Sequence, residues 1–366
     1  MAAPNETVPK LFQPVKVGDM TLAHRVVMAP LTRYRATEDF VHTDMAITYY
    51  AQRASTPGTL LMRRSSRLLP AYAVHAQRSY IFLQLWALGR AADLAELKKV
   101  NPEYPYVSAS DIPIPEWNDG QRPGPLTKTE IKEYVETYAQ AARNAVHGAG
   151  FDGVEVHSAH GYLLDQFLQD VSNKRTDEYG GSIANRCRFP LEVIDAVTKA
   201  VGEEKVALRI SMRMDDPVPT FSYFISQIAE RHPRVAYVHV VEPGVAGNKD
   251  IEKQTGEVEI VCHLVSLEGT LTRFAQSNDF IRKIWLPRPL VSAGRYTRES
   301  AIKRAEETGE LTAFGRLFIS NPDLPYRLRH NLPLTNWDRA LYYNRGDPHG
   351  YIDYSFADGN PASSRL

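Results

Sequence analysis

A chain of 366 residues with 43% hydrophobic content can bury a large core, and its 43 basic and 43 acidic residues leave a formal charge of zero. No net field draws it to nucleic acid or an anionic membrane, so small-molecule chemistry is the better expectation. The two cysteines, Cys187 and Cys262, are too few for a disulfide framework, and neither a signal-peptide run in MAAPNETVPKLFQP nor a membrane-spanning stretch is present, so a reducing cytosol is expected.

Short apolar runs alternate with longer amphipathic stretches along the chain, the pattern of repeated βα units. Eight runs predict strands: RVVMAP (25–30), TLLM (59–62), YIFLQLW (80–86), FDGVEVH (151–157), KVALRIS (205–211), VAYVHVVE (235–242), RPLVSAG (288–294) and TAFGR (312–316). Several are apolar on consecutive positions, as strands covered on both faces are. Only residues 63–79 separate the second run from the third, room for a truncated helix at most. Residues 87–126, rich in Pro, Ser and Asp, predict a long loop over the mouth after the third strand.

TKTEIKEYVETYAQAARNAVHGAG then predicts a helix, with a Thr cap, Glu130 three residues on, and closing glycines at Gly148 and Gly150. Residues 243–287 join strands six and seven at a length unusual for an ordered barrel loop, and hold an apolar, β-like insertion near 257–272. TRESAIKRAEETGE (297–310) predicts a helix capped by Thr297 and stopped at Gly309, and NPDLPYRLRHN (321–331) a last helix broken early by Pro325. The tail, about 346–366, carries HGYIDYSF and predicts a flap returning to the mouth. Eight strands predict one closed (β/α)₈ barrel over residues 1–366, with a shortened second βα unit and an enlarged connection between strands six and seven.

In such a barrel chemistry sits at the C-terminal ends of the strands. Those ends carry Pro30 to Thr32, Gln84 and Trp86, His157 with His160 and Tyr162, Arg209, Glu242, Gly294 with Arg295, and Gly315 with Arg316. Two histidines and a tyrosine past one buried strand make a hydrogen-bonding site. Glycine and arginine after strands seven and eight predict a phosphate-bearing cofactor, because glycine lets the backbone N–H approach and arginine supplies a fork of donors. HSAH could also be half of a zinc or iron site completed by His239 or Glu242. His239 alternates with core residues on its strand, however, and no compact set of three ligands is present, so no metal is expected. Arg175 and Arg186 with Asp177 and Glu178 read as a structural ion-pair network around the YGGS turn.

Taken together, LFQPVKVGDMTLAHRVVMAPLTRYRA, YYAQRASTPGTLL, FLQLWALGRAA, YVSASDIP, the segment 151–186, VHVVEP, AFGRLFISNPDLPYRL and HGYIDY span nearly the whole chain. On them the protein resembles the Old Yellow Enzyme family of FMN-dependent ene-reductases, which includes NADPH dehydrogenases and fungal members of alkaloid and mycotoxin pathways. The resemblance implies non-covalent FMN lined by Pro30, Leu31 and Thr32, with Gln84 and Arg209 on its pyrimidine side and Gly294, Arg295, Gly315 and Arg316 on its phosphate. A cation at the pyrimidine side would stabilise the charge of reduced flavin.

The same resemblance makes His157 and His160 paired donors to a substrate carbonyl oxygen, Tyr162 the proton donor, and Trp86 and Tyr351 walls of the substrate pocket. It implies NADPH or NADH reducing the flavin, then reduction of the C=C bond of a small enone or enal by a monomer or homodimer. Flavin-assisted isomerisation or oxidation, or a barrel with impaired flavin binding, are the alternatives. Arg63, Arg64 and Ser65 stand where the family continues its second strand with an acidic TEA, and the loop from KVALRIS into MRMDDPVP lacks the family's glycine and aromatic residues. Two losses and one insertion are what misplaced exon boundaries would leave in a conceptual translation.

Overall fold

The protein is described by a computed structural model covering residues 7–38, 41–64, 71–115, 117–212, 214–242, 245–246, 249–250 and 277–364. Its centre is a closed barrel of eight strands. They are Val26–Met28, Leu60–Arg64, Tyr80–Leu85, Gly153–Ser158, Val206–Ile210, Tyr237–Val241, Leu290–Ala293 and Leu311–Phe314. Their order around the barrel is their order in the chain, and each falls on one of the eight predicted runs. Parallel pairing is explicit in the registers Val27 to Leu60, Leu60 to Tyr80 and Ala313 to Val27. Gly153–Ser158 and Tyr237–Val241 are buried at every position, which is why these strands read as unbroken apolar runs.

The chain packs as two compact units, one of residues 1–84, 143–155 and 289–366, the other of residues 85–142 and 156–288. In the second, helix Lys128–Arg143 starts as its sequence requires: Glu130 N donates to Thr127 Oγ1 at 3.2 Å and Thr127 N to Glu130 Oε2 at 2.7 Å. It buries Ile131, Tyr138, Ala139 and Ala142, a stripe with near-helical spacing. Helix Ile183–Val201 is capped by Ser182, whose side chain accepts from Asn185 N. In the first unit, helix Arg298–Thr308 begins at Thr297 in a reciprocal cap with Ser300 and ends at Gly309, whose φ of +76° is a left-handed stop.

Three expectations change. Pro325 does not break the last helix; it sits in the first turn of Leu324–His330, where a missing N–H costs nothing and a fixed φ suits the helix. The stretch 87–126 is no plain loop: it holds helix Leu94–Val100, capped by Asp93 on Glu96 N at 3.1 Å, and the parallel pair Val107–Ser108 with Gly124–Pro125. The second strand does not stop at Met62 but runs through Arg63 and Arg64, and helix Ala71–His75 is all that the described residues show before strand three. The insertion near 257–272 lies outside the described residues.

Candidate active site

In the first unit, strand one leaves the barrel through Pro30, which is buried, and Leu31 and Thr32, which are half-buried. Thr32 Oγ1 accepts from Arg64 Nη1 at 3.1 Å. Arg64 in turn pairs in register with Gln84 at the end of the third strand. Gln84 is 2% exposed and donates through Nε2 to Glu155 Oε1 at 2.7 Å. Its Oε1 is buried and has no hydrogen-bond partner among the described residues. A buried carbonyl left without a donor costs roughly 1–3 kcal/mol, so this position suits a ligand N–H.

Glu155 is not among the residues that the sequence singles out. A carboxylate at 0% exposure in the strand Gly153–Ser158 fixes the Gln84 amide so that its oxygen faces away from the pair. A signal exists all the same, since Glu155 is the one acidic residue within the run GVEVHS.

Gly294 and Arg295 follow the seventh strand with φ of +147° and +54°. Gly315 follows the eighth, and a Cβ there would lie 3.2 Å from Leu31 Cδ2, so the two strand exits approach closely. Arg295 is exposed and Arg316 half-buried, with its guanidinium 4.8 Å over the Trp337 ring. Tyr351 is 2% exposed and stacks on Tyr49 with centroids 4.1 Å apart and planes 8° apart. Arg53 lies 3.6 Å over the Tyr49 ring and donates to the carbonyls of Tyr49, Phe318, Ile319 and Tyr351, tying the first helix to the C-terminal segment. Burial pushes the Tyr351 phenol well above its ordinary value. The structure therefore builds Tyr351 into a packed aromatic and arginine stack.

In the second unit the donor set comes together. His157 is 1% exposed, with its ring centroid 5.5 Å from His160 and 5.1 Å from Tyr162. Trp86 meets Tyr162 edge-on at 4.9 Å and 79°. His160 has a φ of +60°, a conformation costing a non-glycine residue on the order of 1 kcal/mol. Its own N–H donates to Ser211 Oγ at 2.8 Å, and on the next residue Gly161 N donates to Asp165 Oδ2 at 2.7 Å. Gln166 locks the same turn by donating to Gly161 O at 2.7 Å while accepting from Ser108 Oγ at 2.9 Å. Ser211, Asp165 and Gln166 are thus supports that no sequence motif flags.

Arg209 is half-buried and pairs in register with His239. No group of three or more His, Cys, Asp or Glu is gathered as a metal site among the described residues. Arg175 grips Asp177 with two bonds, of 3.0 and 2.7 Å, around the YGGS turn, where a Cβ on Gly180 would collide with the Arg175 backbone. Arg186 bonds instead to the carbonyls of Leu168 and Gly181 and to Thr220 Oγ1.

Two imidazoles and a phenol at the end of the fourth strand, with an indole past the third, can bind and protonate a small polar substrate; a buried amide oxygen needing a donor can hold a planar imide. The sequence pattern of the NADH:flavin oxidoreductase / NADH oxidase family matches residues 10–71 and 69–335. The chain belongs to that family. A chanoclavine-I aldehyde reductase of Penicillium roqueforti is 41% identical over 95% of this chain and 96% of its own. An NADP-dependent oxidoreductase of Aspergillus flavus is 41% identical over 95% and 97%, and a probable inactive dehydrogenase of Claviceps fusiformis 36% identical over 94% of each. Among solved structures, Old Yellow Enzyme from Pichia sp. superposes with a TM-score of 0.81 at 35% identity, over 96% of this chain and 94% of that one.

The protein is therefore an FMN-dependent, nicotinamide-using oxidoreductase on a (β/α)₈ barrel. The family match falls in two stretches that overlap at residues 69–71. Among the described residues no helix is long and apolar enough to cross a membrane.

Proposed function

We propose that this flavoprotein reduces the C=C bond of a small enone or enal with electrons from NADPH, in a fungal secondary-metabolite pathway. The observation that carries the reading is the cluster of His157, His160, Tyr162 and Trp86, with ring centroids 4.9–5.5 Å apart. Bound FMN supplies reversible hydride transfer between the nicotinamide and the substrate. The imidazoles of His157 and His160 donate to the substrate carbonyl oxygen and stabilise the charge that develops there. Tyr162 delivers its phenolic proton to the α-carbon, and Trp86 bounds the substrate beside it. His160 keeps its aim because Ser211 and the Gly161–Asp165 bond hold its backbone.

For the cofactor, Pro30, Leu31 and Thr32 line one edge, Gln84 Oε1 accepts the pyrimidine N–H, and Arg209 stabilises the reduced form. Gly294, Arg295, Gly315 and Arg316 take the phosphate. The partnerless Gln84 Oε1 supports this assignment from within the chain. Tyr351 we assign to holding the C-terminal segment, on the strength of its stack with Tyr49.

Similarity to a relative described as a probable inactive dehydrogenase favours a second reading, a barrel without net reductase activity. The two are separated by counting: one NADPH consumed per saturated product supports reduction, whereas no NADPH consumed on adding an enone supports the second reading.

A further inference from the structure

The replacement of an acidic continuation by Arg63 and Arg64 reads from sequence as damage to the cofactor surface; the structure gives it another meaning. Both arginines belong to the second strand, Leu60–Arg64, and point to opposite faces as neighbouring strand residues must. Arg63 is buried, its guanidinium 5.5 Å from the Tyr50 ring centroid. Arg64 goes the other way: it is the register partner of Gln84 and donates to Thr32 Oγ1 at 3.1 Å. It therefore stands between two of the residues assigned to the flavin, Thr32 past the exit of the first strand and Gln84 on the third.

We propose that Arg64 is a cofactor-tuning residue: through Thr32 it holds a positive charge at the flavin-facing end of the second strand and favours reduced over oxidised flavin. The proposal rests on the flavin assignment above. Two effects act together. Because Arg64 donates to the Thr32 oxygen, the Thr32 hydroxyl keeps its own proton for a ligand acceptor, and a hydroxyl whose oxygen accepts from a cation is a stronger donor. The positive guanidinium also stabilises the negative charge that two-electron reduction adds. An acidic residue at this position would have the opposite sign of effect.

The test is the midpoint potential of FMN bound to the full-length holoprotein, read by equilibration with reference dyes, together with titration by sulfite, whose flavin adduct is anionic. In Arg64→Leu the preference for reduced over oxidised flavin is expected to fall about tenfold, a shift of about 30 mV to more negative potential for a two-electron couple, with sulfite binding weakened in parallel. Arg64→Lys is expected to stay near wild type, and in a Thr32→Val background the Arg64→Leu shift should shrink.

Flavin-loaded Arg64→Leu at the wild-type potential overturns the proposal alone, as does an equal shift with and without Thr32. Wild-type protein that holds no FMN overturns the flavin assignment and this proposal with it. Should Arg64→Leu fail to fold, Arg64→Gln carries the same comparison: a potential shifted toward more negative values supports the proposal, and an unchanged one overturns it.

Discussion

Replacing Gln84 by Leu removes two things that can be measured separately. Gln84 Nε2 donates to Glu155 Oε1 at 2.7 Å with both residues buried, so the leucine deprives a sequestered carboxylate of a charge-assisted bond. Such a bond is worth roughly 1.5–3 kcal/mol, and for a chain of this size a loss of that order lowers Tm by a few degrees. Gln84 Oε1 has no partner among the described residues and is the proposed acceptor for the flavin N–H. Losing it leaves a buried ligand donor unsatisfied, at about 1–3 kcal/mol, or roughly five- to 150-fold in FMN affinity.

Glu155→Gln keeps an acceptor for Nε2 and leaves Gln84 in place, so it should alter stability while holding FMN within a few-fold of wild type. Fluorescence titration of apoprotein with FMN, beside thermal unfolding of the same apoproteins, reads both quantities. If Gln84→Leu binds FMN as wild type does, or if Glu155→Gln weakens FMN as much as Gln84→Leu, the assignment of Gln84 Oε1 to the flavin is wrong.

Tyr162→Phe is expected to leave anaerobic flavin reduction by NADPH intact and slow enone-dependent reoxidation by about 10²- to 10⁴-fold, the usual worth of a positioned proton donor, in stopped-flow half-reactions. His24 accepts from Val26 N at 3.2 Å and bonds Thr59 Oγ1 at 3.0 Å, and burial, helped by Arg329, lowers its pKa to about 4. The imidazole is therefore neutral in the native state but takes a proton near 6.5 when unfolded. Its contribution is complete above pH 6.5 and lost as pH falls toward 4, by about 3 kcal/mol in total. Urea unfolding at pH 7 and 4.5 should show a flatter pH dependence in His24→Gln. Arg53→Met strands several buried carbonyls and should destabilise the protein by roughly 3–5 kcal/mol, with loss of the near-ultraviolet signal of the Tyr49–Tyr351 stack on mild heating.

The barrel was legible because parallel strands buried on both faces leave unbroken apolar runs, as in VAYVHVVE, and because caps such as Thr127 with Glu130 and Thr297 with Gly309 have local causes. What escaped was set by contacts distant in sequence. Arg63 and Arg64 do not look like strand residues; pairing with Leu83 and Gln84 makes them so. Pro325 is a breaker or a starter depending on where the helix begins, and the start at Leu324 puts it in the first turn. The donor cluster could be located from its strand end, but its supports Ser211 and Gln166 lie 51 and five residues from the groups they hold. The resemblance makes Tyr351 a wall of the substrate pocket, and no local pattern shows its stack with Tyr49, which lies on the first helix.

The central claim is that this barrel binds FMN and reduces it with a nicotinamide. An absorbance scan of the purified full-length protein, followed by anaerobic NADPH and then an enone, tests that claim directly. A flavin band near one per chain that bleaches with NADPH and returns on adding the enone, with saturated product, is the expected result. Folded protein that neither carries nor takes up FMN, or flavin that no enone reoxidises, would contradict the account.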